Sequence, residues 1–341
     1  MTLIDKVCNC KSVAVVGMEK NTGKTECLNY VLEGCRRRGH RVGVTSIGID
    51  GESCDQVTRT AKPEITLAEG TLFATSEKFF QARRLTADII DVSSWQTALG
   101  RLVTAQAVTP GKVILSGPVS TAMLRDVIGR LQALGSETVL VDGALSRKSL
   151  ASPIVTDAMI LSTGAALSSN LPELVRKTRF VYDLLQLPIY TRRTSISLSD
   201  VEQGIFAIAD DGTVSDLGIA SALLLQQEKD KLFKHGHRIF ASGVVGDKLF
   251  DLLRMQPEVT ETELVVKDFT KIFASQQSVR AYLQKGGRLS VVLQPELLAI
   301  CVNPWSPTGY VLNSEKLREA IAEFAEVPVV DVRERGVCGR D

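Results

Sequence analysis

Residues 13–35 constrain the fold more than any other segment. An apolar run, Val13-Ala14-Val15-Val16, leads into Gly17-Met18-Glu19-Lys20-Asn21-Thr22-Gly23-Lys24-Thr25. An apolar-periodic stretch follows, with Leu28, Val31, Leu32 and Cys35 on one face. The first run reads as a buried strand and the last as an amphipathic helix. A glycine-containing loop that closes on Gly-Lys-Thr between such elements has the layout of a phosphate cradle. It points to an α/β chain and to a nucleoside triphosphate with Mg²⁺ as ligand.

Each part of the loop has a physical task. Backbone N–H groups of residues 21–25 converge on a phosphate, aided by roughly half an elementary charge at the helix N-terminus. Gly23 lets the backbone approach closely. Lys24 places a point charge between the β- and γ-phosphates, and the Thr25 hydroxyl suits Mg²⁺. The candidate nucleotide-contact residues are therefore Glu19, Lys20, Asn21, Thr22, Gly23, Lys24, Thr25 and Glu26. Lys24 is also a candidate catalytic residue.

Magnesium needs further carboxylates nearby. Val139-Leu140-Val141-Asp142-Gly143 puts Asp142 at the C-terminal end of a buried strand, the edge where open α/β sheets bind ligands. Asp142 reads as a metal acid, with a structural helix cap as the competing reading. Asp50, in Ser46-Ile47-Gly48-Ile49-Asp50-Gly51-Glu52, reads either as an acid on Mg²⁺ or the attacking water, or as part of a plain Asp-Gly turn. Asp55, Lys62 and Arg147 are further neighbours. No Asn-Lys-x-Asp guanine-reading segment occurs, which favours ATP.

Along the first half, strands expected at 12–16, 41–46, 112–116, 137–141 and 158–162 alternate with helices such as 24–38, 93–105 and 120–134. Such alternation predicts a doubly wound, mostly parallel sheet. Segment 50–92 is less regular and long for a connection. Segment 164–200 reads as mostly helical. The character then changes: Ile205–Ala209, Asp210-Asp211-Gly212 and Thr213–Ser215 read as strand, tight turn and strand. Further strands at 238–242, 263–267, 288–293, 297–302 and 327–332, with helices at 247–255 and 314–325, make a second α/β unit. The expected domains are 1–200, carrying the nucleotide, and 201–341, a candidate partner-binding domain.

With 341 residues the chain is long enough for about two domains. A net charge of +1 argues against a nucleic-acid partner. Arg36-Arg37-Arg38 reads as a solvated helix end that complements the dipole. No apolar run spans a bilayer and the N-terminus lacks signal-peptide character, so a cytoplasmic location and no membrane are expected. Seven scattered cysteines do not suit a disulfide framework. Cys8, Cys10 and Cys338 match no common zinc spacing, and reduced thiols are expected. Of the three histidines, His40, His235 and His237, none shows a catalytic pairing, and His235-Gly236-His237 reads as a solvated turn.

Five residues separate Gly17 from Gly23, one more than in the common loop. This long form resembles the loop of dethiobiotin synthetases and their relatives, some of which carry an extra lysine five positions before the invariant one. Glu19 stands there, and Lys20 lies one place late. Together with Ser46–Glu52, Val139–Ala144, Val265–Lys271 and Val302–Tyr310, the chain resembles the smaller subunit of the reactivating factor of adenosylcobalamin-dependent lysine 5,6-aminomutase and ornithine aminomutase. The resemblance implies an ATP- and Mg²⁺-dependent, chaperone-like reactivase subunit, a slow ATPase that helps release damaged cobalamin. Its implied partners are a larger reactivase subunit and the B12-dependent aminomutase, with a homo-oligomer also expected. Val302–Tyr310 then forms a partner-facing loop or an ordinary rigid turn. Two other functions fit the loop: a dethiobiotin synthetase-like ATP-dependent ligase, and a nucleotide-binding regulatory subunit without significant turnover.

Overall fold

The computed structural model describes residues 1–47, 64–118, 120–144, 155–219, 232–233 and 235–333. Asp50, Asp55, Lys62 and Arg147 lie outside the described residues. The chain is α/β and divides into two compact units, Met1–Arg179 with Pro295–Asp341, and Phe180–Gln294.

The first unit is built on a nine-stranded sheet. In chain order its elements are α1 (Leu3–Cys8), β1 (Ser12–Gly17), α2 (Lys24–Arg37), β2 (Val42–Ser46), β3 (Ile65–Leu67), β4 (Leu72–Ser76), α3 (Glu77–Gln81), β5 (Ala87–Thr97), β6 (Gly100–Ala107), β7 (Gly111–Val113), α4 (Thr121–Ala133), β8 (Thr138–Ala144), β9 (Ala158–Gly164) and α5 (Leu171–Leu185). Helix α5 carries the chain into the second unit. The strand order is β16-β15-β9-β1-β8-β2-β4-β6-β5, where β15 (Glu296–Asn303) and β16 (Val329–Asp331) come from the end of the chain. Every pairing from β16 to β4 is parallel, and β6 runs antiparallel to both its neighbours. Strands β1 and β9 are buried at every position, as expected of strands covered on both faces.

Helix α2 buries Cys27, Leu28, Val31, Leu32 and Cys35, a stripe of helical period. That stripe joins one core with Leu3, Ile4 and Val7 of α1 and with Val13 and Val15 of β1. Leu28 is fully buried, so Leu28→Ala costs about 2–5 kcal/mol. The opposite face of the sheet packs on α4 through Leu124, Val127, Ile128 and Leu131.

Four expectations change. The helix expected at 93–105 is instead the β5–β6 hairpin, closed at Thr97–Gly100 by the Thr97 hydroxyl donating to Gly100 O at 2.6 Å. Trp95, Leu99, Leu102 and Val103 fall at helical spacing, but pairing of β6 with β4 decides the conformation. The strand expected at 112–116 is short and lies outside the main sheet: β7 pairs antiparallel with β3 in a two-stranded sheet, and its Lys112 also bridges Arg84. Residues beyond it are held by the Thr75 side chain, which donates to Ile114 O and accepts from Ser116 N–H. Within 164–200 only α5 is an α-helix. The sequence draws one boundary near residue 200, whereas β15, β16 and the helix between them, α8 (Ser314–Ala322), return to the first unit. Asn313, a residue type favoured at helix N-caps, caps α8 by accepting from Lys316 N–H.

The second unit holds a five-stranded sheet in the order β11-β10-β12-β13-β14. Its elements are β10 (Ile205–Ile208), β11 (Val214–Ile219), β12 (Arg238–Ala241), α6 (Asp247–Arg254), β13 (Glu263–Val266), α7 (Gln276–Gln284) and β14 (Arg288–Val291). β10 and β11 form the expected hairpin, and β12, β13 and β14 run parallel. The α6–α7 layer packs through Phe250 and Tyr282, whose rings meet edge-on at 5.8 Å.

Candidate functional site

The loop between β1 and α2 sits at the carboxyl edge of the first unit's parallel strands. Its path is set by two left-handed residues. Asn21 has φ 62°, the one positive-φ non-glycine among the described residues, and Gly23 has φ 92°. Between them Thr22 is buried, and its hydroxyl donates to Glu19 O at 2.8 Å. Ser162, near the carboxyl end of β9, donates its hydroxyl to Thr22 O at 2.7 Å and accepts Met18 N–H at its own carbonyl. The loop is thus fixed internally and to the neighbouring strand.

Gly23 is the N-cap of α2 and supplies no side-chain cap. Helices α1, α4, α7 and α8 are capped by Thr2, Ser120, Ser275 and Asn313. The first N–H groups of α2 are left to be satisfied by something other than a capping side chain, which is the requirement for an anion site. A Cβ on Gly23 would lie 2.5 Å from Asn303 Cβ, so the loop closes against the end of β15 as well.

Lys24 begins α2, and its Nζ lies 3.0 Å from Asp142 Oδ1. Asp142 is at the position expected: it pairs with Val15 on one side and Ser46 on the other. Its Oδ1 is buried and accepts no hydrogen bond among the described residues. The two facts are compatible, because an ammonium can make a close charge contact at an angle that does not form a hydrogen bond. The Oδ1 of this half-buried carboxylate thus faces the Lys24 ammonium and no donor in hydrogen-bonding geometry, a disposition that fits a role in holding a hydrated cation.

The other loop residues divide by exposure. Thr22 and Gly23 are buried, Lys24 and Thr25 half-buried, and Glu19, Lys20, Asn21 and Glu26 exposed. Glu26 pairs with Arg333 at 3.2 Å, and the Arg333 guanidinium lies 5.7 Å from the Trp305 ring centroid. Within the loop's surroundings, the structure brings together Lys24 and Asp142; Asp50 lies outside the described residues.

Two supporting residues escape the sequence reading. Ser162 lies near the carboxyl end of one buried strand and Asn303 ends another, so the rule that ligand-side residues gather at the carboxyl ends of parallel strands was the available signal. Asn303 is buried, accepts Trp305 N–H at its side-chain oxygen, and accepts Ala165 N–H at its backbone carbonyl. The following segment is a tight reversal, with Ser306 N–H donating to Tyr310 O and Gly309 N–H to Ser306 O.

The cysteines stand apart from this chemistry. Cys8, Cys10, Cys27, Cys35 and Cys301 are free thiols. Cys27 and Cys301 approach to 3.1 Å inside the core, where their contact and burial push the Cys27 thiol well up. Burial raises Cys35 to about 12, so it is a poor nucleophile at neutral pH. Among the described residues no helix is long and apolar enough to cross a membrane.

Comparison with family models, curated proteins and solved structures gave no match for this chain.

Proposed function

We propose that the first unit binds a nucleoside triphosphate with Mg²⁺ and couples its state to a partner protein. The observation that carries this reading is the Lys24–Asp142 pair at the mouth of an uncapped helix whose entry loop is pinned by Ser162 and Asn303. Such an arrangement presents backbone N–H groups and one cation to an anion, at the strand edge where ligands bind. Lys24 would bear on the β- and γ-phosphates, and Thr25 with Asp142 would hold the hydrated metal. Bound Mg²⁺ would neutralise charge that builds on the phosphate oxygens during hydrolysis. The rigid loop supplies positioning, so that little reorganisation accompanies the reaction. ATP is the favoured nucleotide because the sequence lacks a guanine-reading segment.

The sequence resemblance directs the partner. In this reading the chain is the smaller subunit of an aminomutase reactivase, a P-loop ATPase whose slow hydrolysis drives release of damaged cobalamin together with a larger subunit. A ligase is less well supported, since among the described residues those beside Lys24 and Asp142 offer no cluster that would receive a carboxylate substrate.

Calorimetric titration with ATP tests the first step. Wild type should bind more tightly with Mg²⁺ than without, and Asp142→Ala should lose most of that difference; an identical metal dependence in the variant refutes the site. Reactivation of cobalamin-inactivated 5,6-aminomutase, with ATP, Mg²⁺ and the larger subunit, tests the second. Nucleotide binding without any recovery would leave a triphosphate switch acting on a different client.

A further inference from the structure

A separate grouping lies in the second unit. Among the described residues, the His, Cys, Asp or Glu side chains close enough to share an ion are those of His237, Glu258 and Glu261, whose donor atoms all lie within 4.8 Å of one another. His237 immediately precedes β12, and the two glutamates lie in the turns between α6 and β13.

The backbone holds these positions together. Glu263 N–H donates to His237 O at 3.0 Å, and Glu261 N–H donates to Glu258 O at 3.0 Å. The Thr262 hydroxyl donates to Glu258 O, and the Arg288 guanidinium donates to Glu261 O at 3.1 Å. The side chains then converge on the imidazole: His237 Nε2 lies 3.3 Å from Glu258 Oε2 and 3.7 Å from Glu261 Oε2.

These separations are informative. A charge-assisted hydrogen bond from a ring N–H to a carboxylate is shorter, about 2.7–2.9 Å. Zinc bonds of about 2.0–2.2 Å place neighbouring donors of a tetrahedron roughly 3.4 Å apart, a spacing that falls between the two contacts. A single Nε2–H cannot serve two carboxylates well, and the carboxylates repel each other. A cation among the three donors satisfies all of them. The mixed nitrogen and oxygen set suits zinc or a neighbouring first-row ion rather than Mg²⁺ or Ca²⁺, which prefer oxygen alone. His237 is 35% exposed and the glutamates about two-thirds, which leaves room for water as a remaining ligand.

We propose that His237 Nε2 and one oxygen each from Glu258 and Glu261 form a binding site for Zn²⁺ or a like divalent transition-metal ion. The ion would clip the start of β12 to the approach of β13. The site is independent of the nucleotide reading.

Full-length, nucleotide-free protein titrated with Co²⁺, followed by displacement with Zn²⁺, tests it. The expected result is one equivalent with the visible bands of four-coordinate nitrogen and oxygen ligation and no thiolate charge-transfer band. His237→Ala and Glu261→Gln should each weaken it by about 100-fold, the upper end of what even an outer partner of a metal ligand costs. His235→Ala should leave it intact. The side chains are surface groups, so circular dichroism should show all variants folded. No uptake by wild type, uptake unchanged in His237→Ala, loss in His235→Ala, or a thiolate band alone would overturn the proposal.

Discussion

Both units contain a parallel strand that enters a glycine-bearing loop and then a helix, and only one of them has the makings of an anion site. In the first, β1 leads through Gly23 into α2; in the second, β12 leads through Gly246 into α6. Neither helix has a side-chain cap. The difference lies in backbone conformation and in the first helical residue. Gly23 is left-handed and wedged against Asn303, whereas Gly246 is extended, with φ −119°, and a Cβ there would meet open space. Lys24 opens α2 with a cation, while Asp247 opens α6 with an anion whose carboxylate accepts Ser275 N–H at 2.7 Å and the Ser275 hydroxyl. Asp247 is spent on tying α6 to the cap of α7. A strand–glycine–helix pattern is thus common scaffolding, and the charge and local backbone decide whether its helix end is offered to a ligand.

Four changes would break or sharpen this contrast. The largest effect is expected for Lys24→Ala, which should weaken ATP binding by about 100-fold, the equivalent of roughly 2.7 kcal/mol. Unchanged calorimetric affinity would remove the distinction between the two loops.

The glycines come next. Gly23→Ala forces a left-handed alanine and a collision with Asn303, and should cost about 1–3 kcal/mol in denaturant unfolding while also lowering ATP affinity. Gly246→Ala should stay within about 0.5 kcal/mol of wild type, since an extended residue in open space tolerates a methyl group. Equal costs would show that the two loops are conformationally alike.

The smallest effect concerns acid. Hydrogen bonds from Ser275 N–H and from the Ser278 and Ser275 hydroxyls hold the Asp247 carboxyl below its ordinary value. A lowered folded pKa means that its stabilisation is complete above the unfolded value, near 3.9, and is lost as pH falls through the folded value. Asp247→Asn should therefore flatten stability against pH below about 4, read by urea unfolding, with no change in ATP affinity. The group is exposed, so the effect should be a fraction of a kcal/mol. A variant with the same acid slope as wild type would show that the carboxylate does not tie the two helices.

Much of the first unit was legible from residue order. The β1–α2 segment, the all-apolar strands and the 314–325 helix carry local signals strong enough to read alone. The β5–β6 hairpin was not, because Trp95, Leu99, Leu102 and Val103 satisfy a helical spacing as well as a strand, and only β4 supplies the partner that settles it. The return of β15 and β16 to the first sheet was equally hidden, since a buried parallel strand looks the same whichever sheet receives it.

For the candidate site, the sequence by itself determined the chemistry: a lysine and a hydroxyl behind a glycine loop, and an aspartate ending a buried strand. Tertiary structure decided which of these meet. Lys24 and Asp142 are 118 positions apart and are brought to 3.0 Å because β1 and β8 are neighbours in the sheet. Ser162 and Asn303 became supports of the loop for the same reason. Strand order places their side chains at one sheet edge, and strand order is fixed by long-range packing, which no local pattern in the chain records.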